Sequence, residues 1–350
     1  MVVYNVLMGI VLIFFMISPR IHSDNINKGF KIITFILLFF ISAFRFNVGT
    51  DYIGYLGVYK SVLAGGYINY GFERGYDFLM YITNIFSHNY QAIFVVTSLI
   101  VVGLVMISIN KMSINYYFSV FLFISMYFYF NSFNIIRQFI SIAIVLFALR
   151  YIEKKNLFKY VGLILVAALF HKTSIIALLL YFFKDIDISK KQYIFGGFLT
   201  LVAIPLIPLF MNILVKIFPK YTLYLTFPKG SGLGATSIII LIIFVTSMFL
   251  KDKLVEINRM NNVYINGIYI ALITQFLSQT NIQFIRISMY FYILAIFLIP
   301  EIFQVINEKY KINEKYKRHI LIGTIIFFIL WCNYLLISNV GEVIPYQLCF

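Results

Sequence analysis

Residues 158–183 read FKYVGLILVAALFHKTSIIALLLYFF. Two apolar runs flank the polar stretch His171-Lys172-Thr173-Ser174, and each is shorter than the about 20 residues a helix needs to cross a bilayer. If the segment crosses once, everything after it lies on one set of sides. If it dips and returns as a re-entrant hairpin, every later loop changes side. Non-helical backbone at membrane depth is tolerated only inside protein or against a wet cavity, so a hairpin also predicts a polar cavity.

The surrounding chain is a membrane sequence. Of its 350 residues, 62% are hydrophobic and 12% charged, against about 45–50% and about 25% in soluble domains. So few charges cannot coat a water-soluble globule, which excludes soluble enzymes and nucleic-acid binders. Lys and Arg number 28 against 13 Asp and Glu, a surplus that reports cytoplasmic loops of a membrane protein. Apolar runs at 2–18, 30–44, 91–109, 113–131, 134–152, 193–217, 236–250, 262–278, 283–299 and 319–337 join the broken segment. They predict an all-α, polytopic transmembrane helical bundle of about 10–12 membrane segments, organised as one integral membrane domain over 1–350. The first run lacks a basic lead and a small-residue cleavage site, so it reads as a retained helix. The longest polar insertion, 45–90, is rich in Tyr, Phe and Ile and predicts an external loop with short interfacial helices. Lys229-Gly230-Ser231-Gly232-Leu233-Gly234 reads as a flexible turn; it lacks the Lys-Ser/Thr ending of a phosphate-binding loop. Cys332 and Cys349 fit no disulfide framework or metal-ligand spacing, and no cofactor or metal is expected.

Counting basic residues decides the fate of 158–183. Arg20, Lys28 and Lys31 share one loop; Arg150, Lys154, Lys155 and Lys159 share another. Both lie inside if the first helix starts outside. A single crossing then puts Lys184, Lys190, Lys191, Lys251, Lys253, Arg259 and the cluster Lys309, Lys311, Lys315, Lys317 and Arg318 outside. The total is 12 basic residues inside and 15 outside, with Lys172 buried. A hairpin gives 19 inside and 9 outside and is preferred. It carries a consequence of its own: loops 45–90, 131–137 and 279–286, the tip at His171 and the C-terminal tail all fall on the outer side.

Those segments hold the polar residues that invite a chemical reading. Arg45 follows an apolar run directly, where a guanidinium can clamp a phosphate bidentately; the simpler reading is a snorkelling Arg. Gly49 allows a tight turn, and Asp51 is placed to cap the following helix. Glu73 and Asp77 stand one helical turn apart, as they would at a solvated helix start. Asn134, Arg137 and Gln138 share a helix face at i, i+3 and i+4, and an Arg among so many apolar neighbours points to function with a partner nearby. His171 at the tip of a break can serve as general base or phosphate ligand; a lone membrane His also serves as a satisfied interhelical hydrogen bonder. Arg286 and Tyr290 begin a span and read equally as interface anchors. Taken together, three arginines and a His beside few acids describe a cationic cavity opening in the membrane, suited to a lipid-linked phosphate or pyrophosphate.

At these residues the sequence resembles the EpsG-like family of exopolysaccharide and O-antigen polymerases, the Wzy type. The matching positions are Arg45 with Val48-Gly49-Thr50-Asp51-Tyr52 and Tyr55, then Glu73-Arg74-Gly75-Tyr76. They continue with Asn134, Arg137-Gln138, Phe170-His171 with Ser174, Arg286 with Tyr290, and Pro345-Tyr346. Phe44 and Phe46 around the first Arg are a mild departure, and the resemblance covers nearly the whole chain. It implies a bacterial inner-membrane glycosyltransferase that moves a growing glycan from undecaprenyl pyrophosphate to a lipid-linked repeat unit on the outer face of the membrane. A flippase and a chain-length regulator would be its working partners. In that reaction Arg137 and Arg45, with Arg286 assisting, would hold the pyrophosphate. His171, Asp51 or Glu73 would take the acceptor proton. Gly49, Thr50, Tyr52, Asn134, Gln138, Tyr290 and Tyr346 would line the substrate site, and direct displacement would invert the anomeric centre. A lipid-linked oligosaccharide flippase also needs a cationic cavity, but should carry internal repeats, and none is seen. An O-antigen ligase would run the same chemistry onto another acceptor.

Overall fold

A computed structural model gives the fold; it describes residues 1–66, 72–217, 222, 228–230, 234–310 and 313–350. Positions 67–71 of the 45–90 loop, Ser231–Leu233 of the expected glycine-rich turn, and Lys311 of the basic cluster lie outside the described residues. The described regular structure is helical, with a single isolated antiparallel bridge between Arg45 and Leu348. The protein is thus an all-helical, multi-pass membrane protein.

Five described helices are long and apolar enough to cross a membrane, or six when a pair bent by 42° counts as one span. The other runs read as spans from the sequence are shorter, broken, charged at one end or, at Met260–Leu277, diluted by three asparagines and a glutamine. The run 113–131 becomes α6 (Tyr116–Ser125) and α7 (Phe128–Asn134). They are parted at Tyr127, whose φ of 73° is left-handed. A second break at Ile135 starts α8 (Ile136–Glu153) and sets Arg137 in its first turn. Apolar content alone cannot reveal such breaks, because each flank remains hydrophobic.

Where the sequence reading expects one domain, the chain falls into two compact units, Met1–Ile175 with Ile312–Phe350, and Ile176–Lys311. In the first, α1 (Val2–Ile17) packs on α6, α2 (Asp24–Ala43) on α5 (Ala92–Met112), and α5 on α8. α8 packs on α9 (Leu157–Phe170), and α16 (Glu314–Ile337) packs on α6. In the expected external loop, α3 (Tyr52–Leu63) and α4 (Arg74–Phe86) are two short helices. α4 exposes Phe78, Tyr81, Ile85 and Phe86, the pattern of a helix lying at a membrane interface. Lipid tails are as apolar as Leu, so packing and hydrogen bonds hold membrane helices together. Accordingly, Tyr4, Tyr129 and Phe130 nest edge to face, and the Tyr129 hydroxyl donates to Leu38 O at 2.6 Å.

The segment is broken at its polar stretch. α9 ends at His171, which is extended (φ −157°, ψ 112°). A 3-10 stretch, Lys172–Leu178, and the five-residue α10 (Leu179–Phe183) follow. Neither half reaches a span: 14 residues of α9 cover about 21 Å of a hydrocarbon core about 30 Å thick.

The second unit holds α10, α11 (Lys190–Ile217), α12 (Ala235–Ile257), α13 (Met260–Leu277), α14 (Gln283–Tyr292) and α15 (Ala295–Lys309). Its basic residues gather at one end. Lys251 pairs with Asp187 and donates to Ile188 O. Lys309 meets Glu256 at 3.0 Å, and Asn262 donates to Lys184 O. At the opposite end Gly230 N donates to Ser278 O at 2.7 Å, and Arg286 sits in the first turn of α14.

Gln91 ties the first unit together at the end of α2. Its Nε2 donates to Ala43 O (2.7 Å) and Arg45 O (3.1 Å), while its Oε1 accepts from the Tyr52 hydroxyl. Gln91→Leu orphans all three groups. The expected cost is about 1–3 kcal/mol, read as a lower Tm in detergent, with the exposed Lys154→Ala as an unchanged reference.

Candidate active site

Two clusters form at one end of the first unit. The first is a hydrogen-bonded seam around the residues after α2. Phe46 N donates to Gln347 O, Gly49 N to Glu342 O, Thr50 N to Gly341 O, and Cys349 N to Phe44 O. The C-terminal segment thereby lies along the 44–50 stretch. Asn134 closes the seam: its Oδ1 accepts from Thr50 Oγ1 at 2.9 Å. Gly49 and Gly341 hug this side chain. Both have positive φ (107° and 72°), and a Cβ would stand 2.8 Å from Asn134 Oδ1 at Gly49 and 2.5 Å from Asn134 Nδ2 at Gly341. Only glycine fits on both counts. The Tyr346 hydroxyl donates to Ile41 O, and Tyr52 is buried and stacked on Phe94 at 4.3 Å.

Arg45 sits beneath this seam, 1% exposed. Its guanidinium donates to Ser42 O and to Phe133 O, and lies over the Phe94 and Phe133 rings at 5.2 and 4.7 Å. A buried Arg is expensive unless carbonyls and ring faces replace its water, and both do so here. This placement makes Arg45 an internal post joining α2, α5 and α7. The sequence expectation of a phosphate clamp meets, instead, a buried guanidinium whose Nη1 and Nη2 donate to main-chain carbonyls, while its Nε is buried without a partner.

The second cluster is Glu73, Arg137 and His171. Glu73 stands at the N-cap position of α4, Arg137 in the first turn of α8, and His171 at the C-terminal end of α9. Arg137 Nη1 pairs with Glu73 Oε2, and His171 Nδ1 lies 3.2 Å from Glu73 Oε1. One carboxylate therefore holds the guanidinium on one oxygen and the imidazole on the other. Arg137 is 23% exposed, Glu73 12% and His171 15%, which is sheltered but reachable. Phe72 lies under the Arg137 guanidinium at 4.2 Å. Phe72, Tyr55 and Tyr76 pack with one another at 5.5–5.9 Å between ring centroids, and Tyr55 hydrogen-bonds to Arg137. Burial opposes ionisation of Glu73, but contact with His171 and the charge of Arg137 outweigh it and lower the carboxyl to about 2. Asp77, on the next turn of α4, is raised by burial, against the pull of Arg137.

Gly75 brings α4 to this place. A Cβ there would meet Leu169 O at 2.7 Å, so the bare backbone lets α4 lie directly on α9, two residues before His171. Ser174 Oγ, fully buried just beyond the break, has no hydrogen-bond partner.

The structure thus gathers Glu73, Arg137 and His171 in one cluster, and Arg45, Gly49, Thr50, Tyr52, Asn134 and Tyr346 in the seam. Gln138 is buried on α8, one residue past Arg137. Asp51 is exposed at the N-cap position of α3, without a side-chain hydrogen bond to that helix's amides. Arg286, exposed, and Tyr290, buried, belong to the second unit. Sequence reasoning missed Gln91 and Phe72: an uncharged amide at the start of an apolar run and one Phe among 39 give no signal until their partners are placed. Among the described residues, no group of His, Cys, Asp and Glu can hold a metal ion.

Fold and site together define a multi-pass membrane protein with a sheltered Arg–Glu–His cluster at one end of its larger unit. The EpsG family model matches residues 28–348, and the chain belongs to the EpsG family, an exopolysaccharide-polymerase-like family of polysaccharide biosynthesis. The matched range contains every site residue read from the sequence. No curated protein and no solved structure matches the chain.

The ion pairs of Glu73 have a pH signature. A carboxyl lowered in the folded state contributes its full stabilisation above its unfolded value of about 4.5 and loses it as the pH falls through about 2. Unfolding measured between pH 6 and pH 2 should show this acid loss in the wild type and not in Glu73→Gln. Gly75→Ala, which pushes α4 off α9, should shrink it.

Proposed function

We propose that the protein is a lipid-linked glycan polymerase. It transfers a growing chain from undecaprenyl pyrophosphate to the terminal sugar of a lipid-linked repeat unit, at the outer face of the bacterial cytoplasmic membrane. The observation that carries this reading is the shared carboxylate of Glu73, which places a fixed cation and an imidazole side by side, each only partly exposed.

The reaction breaks the bond from the anomeric carbon to the pyrophosphate oxygen and forms one to the acceptor hydroxyl oxygen, whose proton must leave. Negative charge grows on the departing pyrophosphate. A cation already held in place stabilises that charge without reorganisation, commonly the largest catalytic term. Arg137 fills this role: Glu73, Tyr55 and Phe72 fix it, and its side chain remains 23% exposed toward an anionic group. His171 takes the acceptor proton. Glu73, lowered to about 2, is too weak a base for that task near neutral pH. It stands 3.2 Å from His171 Nδ1 and favours the proton on that nitrogen, which leaves the Nε2 lone pair for the hydroxyl. Attack opposite the leaving group inverts the anomeric centre. Arg45 works at one remove, by holding the seam and the start of α8.

The outer-face assignment is supported by charge in each unit separately. In the first, Lys31 and Asn110 meet at the end away from Arg137, alongside Lys154, Lys155 and Lys159 at the α8–α9 turn. In the second, the lysine-rich end is the one away from Arg286. With both basic ends in the cytoplasm, Arg137, His171 and Arg286 face outward.

Polymer length in cells tests the proposal. At wild-type protein level, Arg137→Ala is expected to reduce polymer by roughly a hundredfold or more, the scale for removing one preorganised stabiliser. Arg137→Lys should recover little, because a point charge cannot reproduce the fork. Full-length polymer from Arg137→Ala would overturn the clamp, and undiminished synthesis by His171→Ala would overturn the base.

A further inference from the structure

The end of the first unit away from Arg137 carries a groove that glycan transfer does not use. It runs between α2 and α5, has a volume of about 890 Å³, and is lined by apolar groups below and three lysines, Lys28, Lys31 and Lys111, above. No carboxylate lines it; Asp24, in the first turn of α2, stands outside. Lys31 is poised at the rim: its Nζ donates to Asn110 Oδ1 at 2.8 Å and lies 5.0 Å from the Tyr116 ring. Lys28 and Lys111 are exposed, with donors free for an anion. The wall below is hydrophobic, with Ile32 and Leu99 58% and 50% exposed. Its floor is opened by Gly103, where a Cβ would meet no atom within 4 Å.

We infer that this groove is a binding site for an anionic phospholipid of the leaflet at that end, its phosphate held by Lys28, Lys31 and Lys111 and an acyl chain laid over Gly103. Charge complementarity selects the occupant. Three cations without a lining acid reject a zwitterionic headgroup's ammonium and favour net negative charge, and basic pockets between membrane helices on the cytoplasmic side bind such lipids. The apolar floor distinguishes the site from a solvated basic patch, because it accepts chain as well as headgroup. This inference is independent of the glycan-transfer reading.

Native mass spectrometry of the delipidated full chain, titrated with phosphatidylglycerol or phosphatidylcholine, tests it. The expected result is preferential retention of phosphatidylglycerol, falling about fivefold for each of Lys28→Ala, Lys31→Ala and Lys111→Ala. Lys60→Ala, on α3, should change nothing. Gly103→Leu fills the floor, removes no charge and suits a helix better than glycine, so the variant should fold and lose the lipid. Equal retention of the two lipids, or retention untouched by Gly103→Leu in a variant with wild-type Tm, would overturn the site.

Discussion

One carboxylate organises the first unit's chemistry. Glu73 binds Arg137 on one oxygen and faces His171 with the other, so three separate helices meet on a single acid. In a bilayer an isolated guanidinium is costly enough to displace its helix or draw in water. Paired with Glu73 and seated on Phe72, it is affordable where it stands and stays 23% exposed. Removing the acid would leave an uncompensated charge, the expensive half of any partly buried ion pair.

Arg45 and Arg137 have opposite fates, and the cause is local. Arg45 follows a full-length span and turns inward because Phe94, Phe133 and a ring of main-chain carbonyls await it. Arg137 follows a short helix that breaks at Ile135, and the break aims it at the loop helices. Identical side chains at identical apparent depth thus become a structural post and a candidate catalytic group. What separates them is which neighbours have unsatisfied acceptors.

Much of this was legible in the sequence. The helical membrane class followed from charge scarcity, the interruption at His171 from four polar residues in an apolar run, and the functional weight of Arg137 from the cost of its surroundings. Glu73 was visible only as a plausible helix start, because its two partners lie 64 and 98 positions along the chain and no spacing rule links them. The seam was less legible still. Gly49 announced a turn, but that the turn wraps around Asn134 depends on Gly341, and backbone pairing between distant segments leaves no periodic trace. The extent of each membrane helix was also obscured: at Tyr127 and Ile135 the backbone changes direction between residues as apolar as their neighbours.

The pairing of 44–50 with 341–349 has a consequence for biosynthesis. Arg45 emerges early from the ribosome, while the strand that covers it is made about 300 residues later, tens of seconds at ordinary translation rates of about 5–20 residues per second. Throughout that interval the helices around Arg45 are inserted without their last strap, and the whole second unit is threaded in before the first can close. The backbone seam around Arg45 therefore forms only after the helices it joins have been inserted.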